Sequence, residues 1–597
     1  MLNRFKLTAM AVAIAFSFSA AADEANTLDT VEVTATRSET ALEKALASVT
    51  VITRSDIERS QVSDVADLLS QQAGLDVVRS GGNGANVSIF TRGSNSNHTL
   101  VLINGVRINT ATQGNYDFSN LPLAMIERVE IVRGPRAALW GSDAIGGVIN
   151  IFTREKNTFA EFRAGSYGRA ELDVGFGYGD KENNIGAVLG YGSAKGFSAT
   201  SFNQDNDGFH NSHLLLNGKL AIGSHSLSAF VAAIDAFSEF DQGETDRTSR
   251  QAGVVLTGDI TDIWHHSVSV SHSYDKLETP VYASIFGTRR LAFDWINTID
   301  ANEQNRINIG VNWSQESGYS EDYGLLTIDE TRRNTGLFAT WRGEFDRNTF
   351  ELSARHDNNS QFGGKTTGQA AWGLDITADM RLRASWGQGF RAPNFNELYY
   401  PGFFFFGDFY FKGNPDLQPE SSRSAELGFI FDIGSRQTIE LSGYHTSVDD
   451  LIAFEGLLLS AVNIKHARLK GAEVEYHYKG ESFLLTANAG WQDARDLDND
   501  SKLLRRADRK LNIKADFNIN EQWDWGLDFQ AASERPDFGP STPGYGRIDV
   551  RLGYHFAKAW SLEARLENLG DKDYELIPGY NTPGRSGLIS LRWNGKN

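Results

Sequence analysis

The chain has 597 residues, no cysteine, and 57 basic against 76 acidic side chains, a formal net charge of -19. Disulfide staples and thiol chemistry are therefore excluded, and the acidic balance argues against a nucleic-acid partner. Mean hydropathy is negative at -0.36, with 58 Gly, 12 Pro and 11% aromatics; a β-barrel shares that soluble-looking profile, because only alternate residues of its strands face lipid.

Residues 1–22 carry Arg4 and Lys6, an apolar run from Leu7 to Phe18, and then Ser19-Ala20-Ala21-Ala22. This is the layout of a secretory signal with an A-x-A-like site, predicting cleavage before Asp23. The run is too short to span a membrane, and no later stretch of about 18 apolar residues predicts a transmembrane helix.

In residues 23–37 the stretch Asp29-Thr30-Val31-Glu32-Val33-Thr34-Ala35 alternates Val31, Val33 and Ala35 with Thr30, Glu32 and Thr34. That period suits a strand, yet its polar neighbours offer no hydrophobic partner. An extended segment with nothing to pair with is a donor for the edge of another protein's sheet. An ordinary N-terminal edge strand reads the same way.

Residues 38–154 mix two periods. Ser55-Asp56-Ile57-Glu58 is a capping-box pattern that opens a short helix. Ser63 is expected to cap a second helix carrying Val65, Leu68 and Leu69, with Gly74 as its stop. Short strands follow at Val87–Thr91, Thr99–Ile103, Val106–Ile108 and Val129–Val132, and Asn104-Gly105 marks a tight hairpin. This is a small α+β domain, dense in charge: Arg92, Arg107, Glu127, Arg128, Glu130, Arg133 and Arg136. Such charges suit a domain lodged against polar walls, and equally one free in solvent.

Residues 155–597 alternate with period two. Leu172, Val174, Phe176 and Tyr178 are separated by Asp173, Gly175 and Gly177; the pattern returns in 307–313, 511–519, 548–556 and 587–593. It persists with hardly any helical interruption, and aromatics recur near strand ends, as membrane-interface girdles require. In lipid such a sheet must close, because no backbone edge can stay unpaired there. At roughly 20 residues per strand and connection this stretch holds about 22 strands, the size class of plugged outer-membrane barrels. The fold expected is an all-β membrane protein: a roughly 22-stranded antiparallel transmembrane β-barrel occluded by the N-terminal α+β plug domain.

No catalytic constellation emerges. His265-His266 is an isolated pair without a carboxylate near in sequence, and Gly141-Ser142-Asp143-Ala144-Ile145-Gly146-Gly147 lacks the lysine of a phosphate loop. The chain is not expected to be an enzyme.

Several stretches together resemble the TonB-dependent outer-membrane receptors. They are Ile89-Phe90-Thr91-Arg92-Gly93, Val101-Leu102-Ile103-Asn104-Gly105-Val106-Arg107, and Ile126-Glu127-Arg128-Val129-Glu130-Ile131-Val132-Arg133-Gly134-Pro135 in the first domain. Gly389-Phe390-Arg391-Ala392-Pro393, Gly413-Asn414-Pro415-Asp416-Leu417 and Glu567-Asn568-Leu569-Gly570-Asp571 join them in the second. The resemblance implies active uptake across the outer membrane, with residues 29–35 as the TonB box that pairs with TonB. Within the family, Gln204-Asp205-Asn206-Asp207-Gly208-Phe209, Phe240-Asp241 and Thr245-Asp246-Arg247 are similar to the calcium loops of the BtuB-type cobalamin transporters. That likeness implies calcium held by Asp205, Asp207, Asp241 and Asp246, with Glu244 nearby, and cobalamin or a related corrinoid as ligand. Read from the residues alone, these are solvated acidic loops. Two departures stand out: Ser198 replaces an expected carboxylate, and the loop Tyr399–Lys412 is long and aromatic.

A corrinoid needs apolar surface fringed by amides and hydroxyls. Ser80, Asn83 and Asn86 on one Gly/Asn-rich loop, Gln113, Asn115 and Tyr116 on another, and Phe240 with the Phe403–Phe406 tract are the candidates. Both loops read equally well as plain turns, and the tract as an aromatic girdle. Two rivals remain. A ferric-siderophore or haem receptor of the same fold is one, with His98 and His210 as conceivable haem ligands. A passive porin is the other, against which residues 29–154 count.

Overall fold

A computed structural model describes residues 32–33, 40–405, 408–455 and 458–595. The expected signal at 1–22 lies outside the described residues, as does the 29–35 segment except for Glu32–Val33, which pairs antiparallel with Thr40–Ala41.

From Phe159 onward the chain forms one closed antiparallel barrel. Twenty-two strands make the wall, and the stub Ser501–Lys502 adds a short pairing beside Phe483–Asp496. The first strand, Phe159–Gly165, meets the last, Ser586–Asn594, with Phe159 opposite Asn594 and Gly165 opposite Leu588. Closure leaves no ladder edge for lipid to solvate. Among the described residues no helix is long and apolar enough to cross a membrane; the strands cross it.

The alternation read from the sequence is inside out relative to a soluble sheet. In Arg169–Gly179, Leu172 and Phe176 are 52% and 55% exposed, whereas Asp173 between them is 2% exposed. In Tyr545–Ala557 the apolar Ile548 and Leu552 face outward and the charged Asp549 and Arg551 are buried. Apolar residues that gain nothing from water are stabilised by lipid on that face. Near the short turns, Trp523 stacks on Tyr554 at 4.3 Å and Phe517 on Trp525 at 4.4 Å. Trp560 and Trp593 lie 6.5 Å apart beside them, an aromatic band of the kind that sits at headgroup level.

The first domain fills the bore. Its sheet runs in the order Val49–Ile52, Ile126–Arg133, Gly147–Thr153, Thr99–Ile103, Val106–Arg107, with one parallel pair, Thr99–Ile103 beside Gly147–Thr153. A separate hairpin pairs Leu75–Arg79 with Val87–Thr91. Asn104 and Gly105 both adopt positive φ, 48° and 78°, the geometry a two-residue hairpin turn demands. Leu68, Leu69, Val101, Ile131 and Ile149 share a core that continues into Val188, Leu215, Phe230 and Ile234 of the wall. Plug and barrel therefore share one apolar contact rather than merely touching through polar groups.

Helix starts differ from the sequence reading by one or two residues. Thr53, not Ser55, opens Arg54–Ser60, in a reciprocal capping box with Asp56. Asp64, not Ser63, caps Val65–Ser70 by accepting from the Asp67 amide; Ser63 instead reaches Glu567 of the wall at 3.4 Å. A carboxylate is the better N-cap acceptor near a helix dipole. Gly74, with φ 69°, turns the chain into Leu75–Arg79 rather than ending the helix.

Candidate functional site

The plug is held to the wall by two kinds of contact. On the sheet side, plug arginines meet wall carboxylates. Arg92 sits 2.8 Å from both Glu426 and Glu473, and Arg133 sits 2.7 Å from Glu475 and 3.7 Å from Glu473. All five are buried or nearly so. Burial works against the charge of Arg92, and Glu426 and Glu473 outweigh it, holding its pKa well above the usual arginine value. Arg92 also has a left-handed backbone, φ 51°, fixed by its amide bonding to the Gly74 carbonyl; such strain persists only where the surroundings over-determine it. Beside this cluster, His98 lies 2.7 Å from Glu420, which Arg391 also holds at 2.6 Å.

On the helix side the wall is already paired with itself. Arg551 binds Asp516 and Asp528, and Arg565 binds Asp528, Asp549 and Glu567. To Arg551, Arg565 and Asn488 the plug supplies carbonyl oxygens: Arg551 donates to Arg59, Arg565 to Ser60, and Asn488 to Gln71, at 2.6 to 2.9 Å. A helix carboxylate, Glu58, also pairs with the wall, 3.4 Å from Arg592. These lie at helix C-termini, where unsatisfied carbonyls favour cations. Three cavities follow this seam. One of about 560 Å³ opens at the turn end by Ser55 and Arg59, one of about 210 Å³ lies by Ser60 and Gln71, and one of about 80 Å³ lies by Asp67, Arg79 and Asn83.

At the opposite, long-loop end two plug loops face the mouth. The loop 80–86 seats under the first hairpins: a Cβ on Gly81 would meet Ala199, and one on Gly84 would meet Phe209 and Ser238. Asn86 is exposed, Ser80 half-buried, and Asn83 is tied to Asp64 by a 3.0 Å bond. Arg79 also grips Asp64 at 2.6 Å. Burial and the neighbouring Asp64 charge push the Asp67 carboxyl up to about 6. The second loop docks on Asn394, whose amide donates to the Gln113 carbonyl. Gln113 is exposed and Asn115 half-buried. Tyr116 is 6% exposed and packs edge-on to Phe118 at 5.0 Å, so it serves the core and not the mouth. Sequence reasoning missed that because one aromatic in a Gly/Asn loop gives no sign of which way it turns. Phe240 is half-buried on the lumen-facing side of its strand, in line with Ser238 and Ala236. Phe403 packs on Tyr410 and Phe411 within its own loop; Phe406 is outside the described residues.

Asp205, Asp207 and Asp241 come together: one carboxylate oxygen from each lies within 4.8 Å of the others. Asp207 accepts from the Ala199 amide at 2.6 Å, and Asp241 Oδ1 is buried with no hydrogen-bond partner. That orphaned oxygen marks a place where a cation fits. Asp246 does not join them. It sits cross-strand from Phe237, exposed on the outward face, because a shift of one residue along a strand reverses the side chain. His98 is fully buried against Glu420, and His210 is stacked on Phe237 at 4.9 Å on the outer face. Neither reaches the mouth.

The family described as TonB-dependent Receptor Plug Domain matches residues 41–148, and TonB dependent receptor-like, beta-barrel matches 160–569. The chain belongs to the TonB-dependent receptors. As such it resides in the outer membrane and works with TonB. It is similar in fold to the siderophore receptor PirA from Acinetobacter baumannii, at TM-score 0.80 and 17% identity over 92% of this chain and 98% of that one. The ferric enterobactin receptor PfeA from Pseudomonas aeruginosa gives 0.80 and 15% over 95% and 100%, in a G324V mutant. The copper transporter OprC gives 0.78 and 17% over 92% and 100%. These solved neighbours are siderophore and copper receptors; none of the three is a cobalamin transporter.

Proposed function

We propose that this TonB-dependent receptor binds a corrinoid of the cobalamin type at its mouth and passes it inward when TonB draws on residues 29–35. The observation that carries the reading is the placement of Asp205, Asp207 and Asp241 directly over the plug loop 80–86. Calcium takes six to eight oxygens, largely from carboxylates and carbonyls. These three side chains would hold it, and Asp241 Oδ1 is a ready ligand. The ion would neutralise their mutual repulsion and order the two hairpins above the ligand. Ser80, Asn83, Asn86, Gln113 and Asn115 offer amide and hydroxyl partners for an amide-fringed ligand, and Phe240 an apolar one.

Tight capture of a scarce ligand implies slow release, so an energy input is needed. Residues 29–35 would supply it as a strand added to TonB, with backbone hydrogen bonds as the grip. Val33→Pro removes a donor and fixes φ; binding should persist while uptake is abolished. Uptake at the normal rate in that variant would remove the coupling role of 29–35.

A ferric siderophore is the second reading, favoured by what PirA and PfeA are named for. Haem is disfavoured by the burial of His98 and the outward stacking of His210. Equilibrium binding of cyanocobalamin and of ferric enterobactin to the purified receptor, with calcium or with a chelator, separates the readings. Cobalamin binding that weakens in chelator and in Asp241→Asn supports the first. Binding of the iron chelate alone replaces it with the second.

A further inference from the structure

His265-His266 is an isolated pair in sequence, and neither the mouth nor the plug seat uses it. In the folded chain His266 acquires a partner 41 positions away. His225, on His225–Phe240, and His266, on Trp264–Thr279, both stand opposite Gly258 of the strand between them. Their Nε2 atoms share a hydrogen bond at 3.0 Å, with ring planes at 81°, and a cation would replace the shared proton. The glycine makes this possible: a Cβ on Gly258 would lie 2.4 Å from His225 Cδ2, so any other residue would push that ring aside. On its other edge His225 Nδ1 lies 3.1 Å from Ser224 Oγ. A hydrogen bond at Nδ1 orients a ring and turns Nε2 toward the second imidazole, the arrangement typical of metal-bound histidine. Both residues are half-buried on the outward face of the wall, the face that carries Phe237 and Asp246, at the short-turn end of the barrel, which is the periplasmic end.

The spacing suits one shared ion. With metal–nitrogen bonds of about 2.0–2.1 Å, two ligands at a right angle stand about 2.9 Å apart, and two at a tetrahedral angle about 3.3 Å apart. The 3.0 Å hydrogen bond holds the two nitrogens at a separation that one ion could bridge in either geometry. Square-planar or tetragonal nitrogen and oxygen sites belong to Cu²⁺ and Ni²⁺, and copper binds more tightly of the two. We propose that His225 and His266 form a two-imidazole site for a Cu²⁺-class divalent ion, with water in the remaining positions, which staples three adjacent strands at the periplasmic rim. The proposal is independent of which ligand enters the mouth. His265 is not part of it; contrary to the expectation of no nearby carboxylate, that ring is held by Asp259, six residues upstream, at 2.5 Å and by Asp300 at 3.4 Å.

Titration of Cu²⁺ into the detergent-purified full chain, read by electron paramagnetic resonance, tests this. One tight Cu²⁺ should show coupling to two nitrogens, which carboxylate sites such as the Asp205 cluster cannot produce. Outer-shell partners alone are worth about 10–100-fold in metal affinity, so His225→Ala and His266→Ala should each weaken that ion by at least about tenfold and leave one coupled nitrogen. Gly258→Ala keeps both imidazoles and should weaken binding too, whereas His265→Ala should not. The same affinity and the same two-nitrogen signal in His225→Ala, or equal loss in His265→Ala, would overturn the site.

Discussion

The two sides of the plug are anchored by different chemistry. On the sheet side, Glu473 and Glu475 depend on Arg92 and Arg133 for their charge balance, and Glu426 on Arg92 with the more distant Arg383 of the wall. On the helix side, Arg551 and Arg565 are satisfied by wall carboxylates whether or not the plug is present, and the plug lends them only carbonyls. Withdrawing the sheet side would leave buried charges unpaired, a cost of about 3–5 kcal/mol per broken pair. Withdrawing the helix side forfeits hydrogen bonds that charge assists, each about 1.5–3 kcal/mol, and the Glu58–Arg592 contact, whose partners keep Arg54 on the plug and Glu161 and Glu563 on the wall. The helix side also borders the three cavities, so its displacement meets less packed matter. A pull from the N-terminus therefore meets a weak seam and a strong one, and the weak one should yield first.

The sharpest way to break that comparison is to lock each side in turn. The chain has no native cysteine, so an engineered pair is the only thiol pair present. Gln71→Cys with Asn488→Cys, joined by a short bifunctional thiol reagent, ties the helix side to the wall where Asn488 now bonds Gln71. Ala111→Cys with Thr288→Cys ties the far side, where the Ala111 amide bonds Thr288. Substrate uptake should stop in the first and continue in the second, with reductively cleavable linkers restoring it. Arrest by both would mean that the plug moves as one body.

A second contrast is energetic. Glu473→Ala leaves Arg92 with Glu426 alone and Arg133 with Glu475 alone. It should cost about 3 kcal/mol of plug retention, the low end for a broken buried pair, seen as lowered melting and as leak of large antibiotics through the barrel. Asn488→Ala should cost about 0.5–1.5 kcal/mol, the worth of one ordinary hydrogen bond. Comparable losses in the two variants would erase the difference between the seams.

Much of the architecture was legible because a barrel wall repeats one short-range signal. Leu172 and Phe176 announce their face two residues at a time, and Asn104-Gly105 names its own turn. The site was less legible because its contacts are remote. Arg92 and Glu426 stand 334 positions apart, and no local pattern couples them. The acidic residues were found as a group, yet Asp246 was misplaced, since its face depends on strand register rather than composition. The strands Val49–Ile52, Leu75–Arg79 and Gly147–Thr153 escaped notice: the first is only four residues long and the other two are nearly all buried, so none shows the alternation that betrays the wall strands.

The smallest expected effect concerns pH at the top of the weak seam. Asp67 follows Asp64 by one helical turn, and burial with the Asp64 charge raises its carboxyl to about 6 from an ordinary value of 3.8. The folded plug thus binds that proton more tightly than the unfolded chain does. The resulting stabilisation is fully present below pH about 4, falls as pH rises through about 6, and is lost above it. Plug retention on this side should accordingly be stronger at pH 4.5 than at pH 7, against the trend of groups such as Asp76, whose carboxyl, although burial opposes it, is held low by Arg535 and Lys510. Asp67→Asn cannot ionise and should flatten the difference between the two pH values in denaturant melts of the purified receptor. Asp76→Asn should leave that difference nearly unchanged, because a carboxyl held below its ordinary value loses its stabilisation only below pH about 4. An unchanged slope in Asp67→Asn would show that the carboxyl is ionised throughout, with Arg79 balancing both acids rather than Asp64 alone.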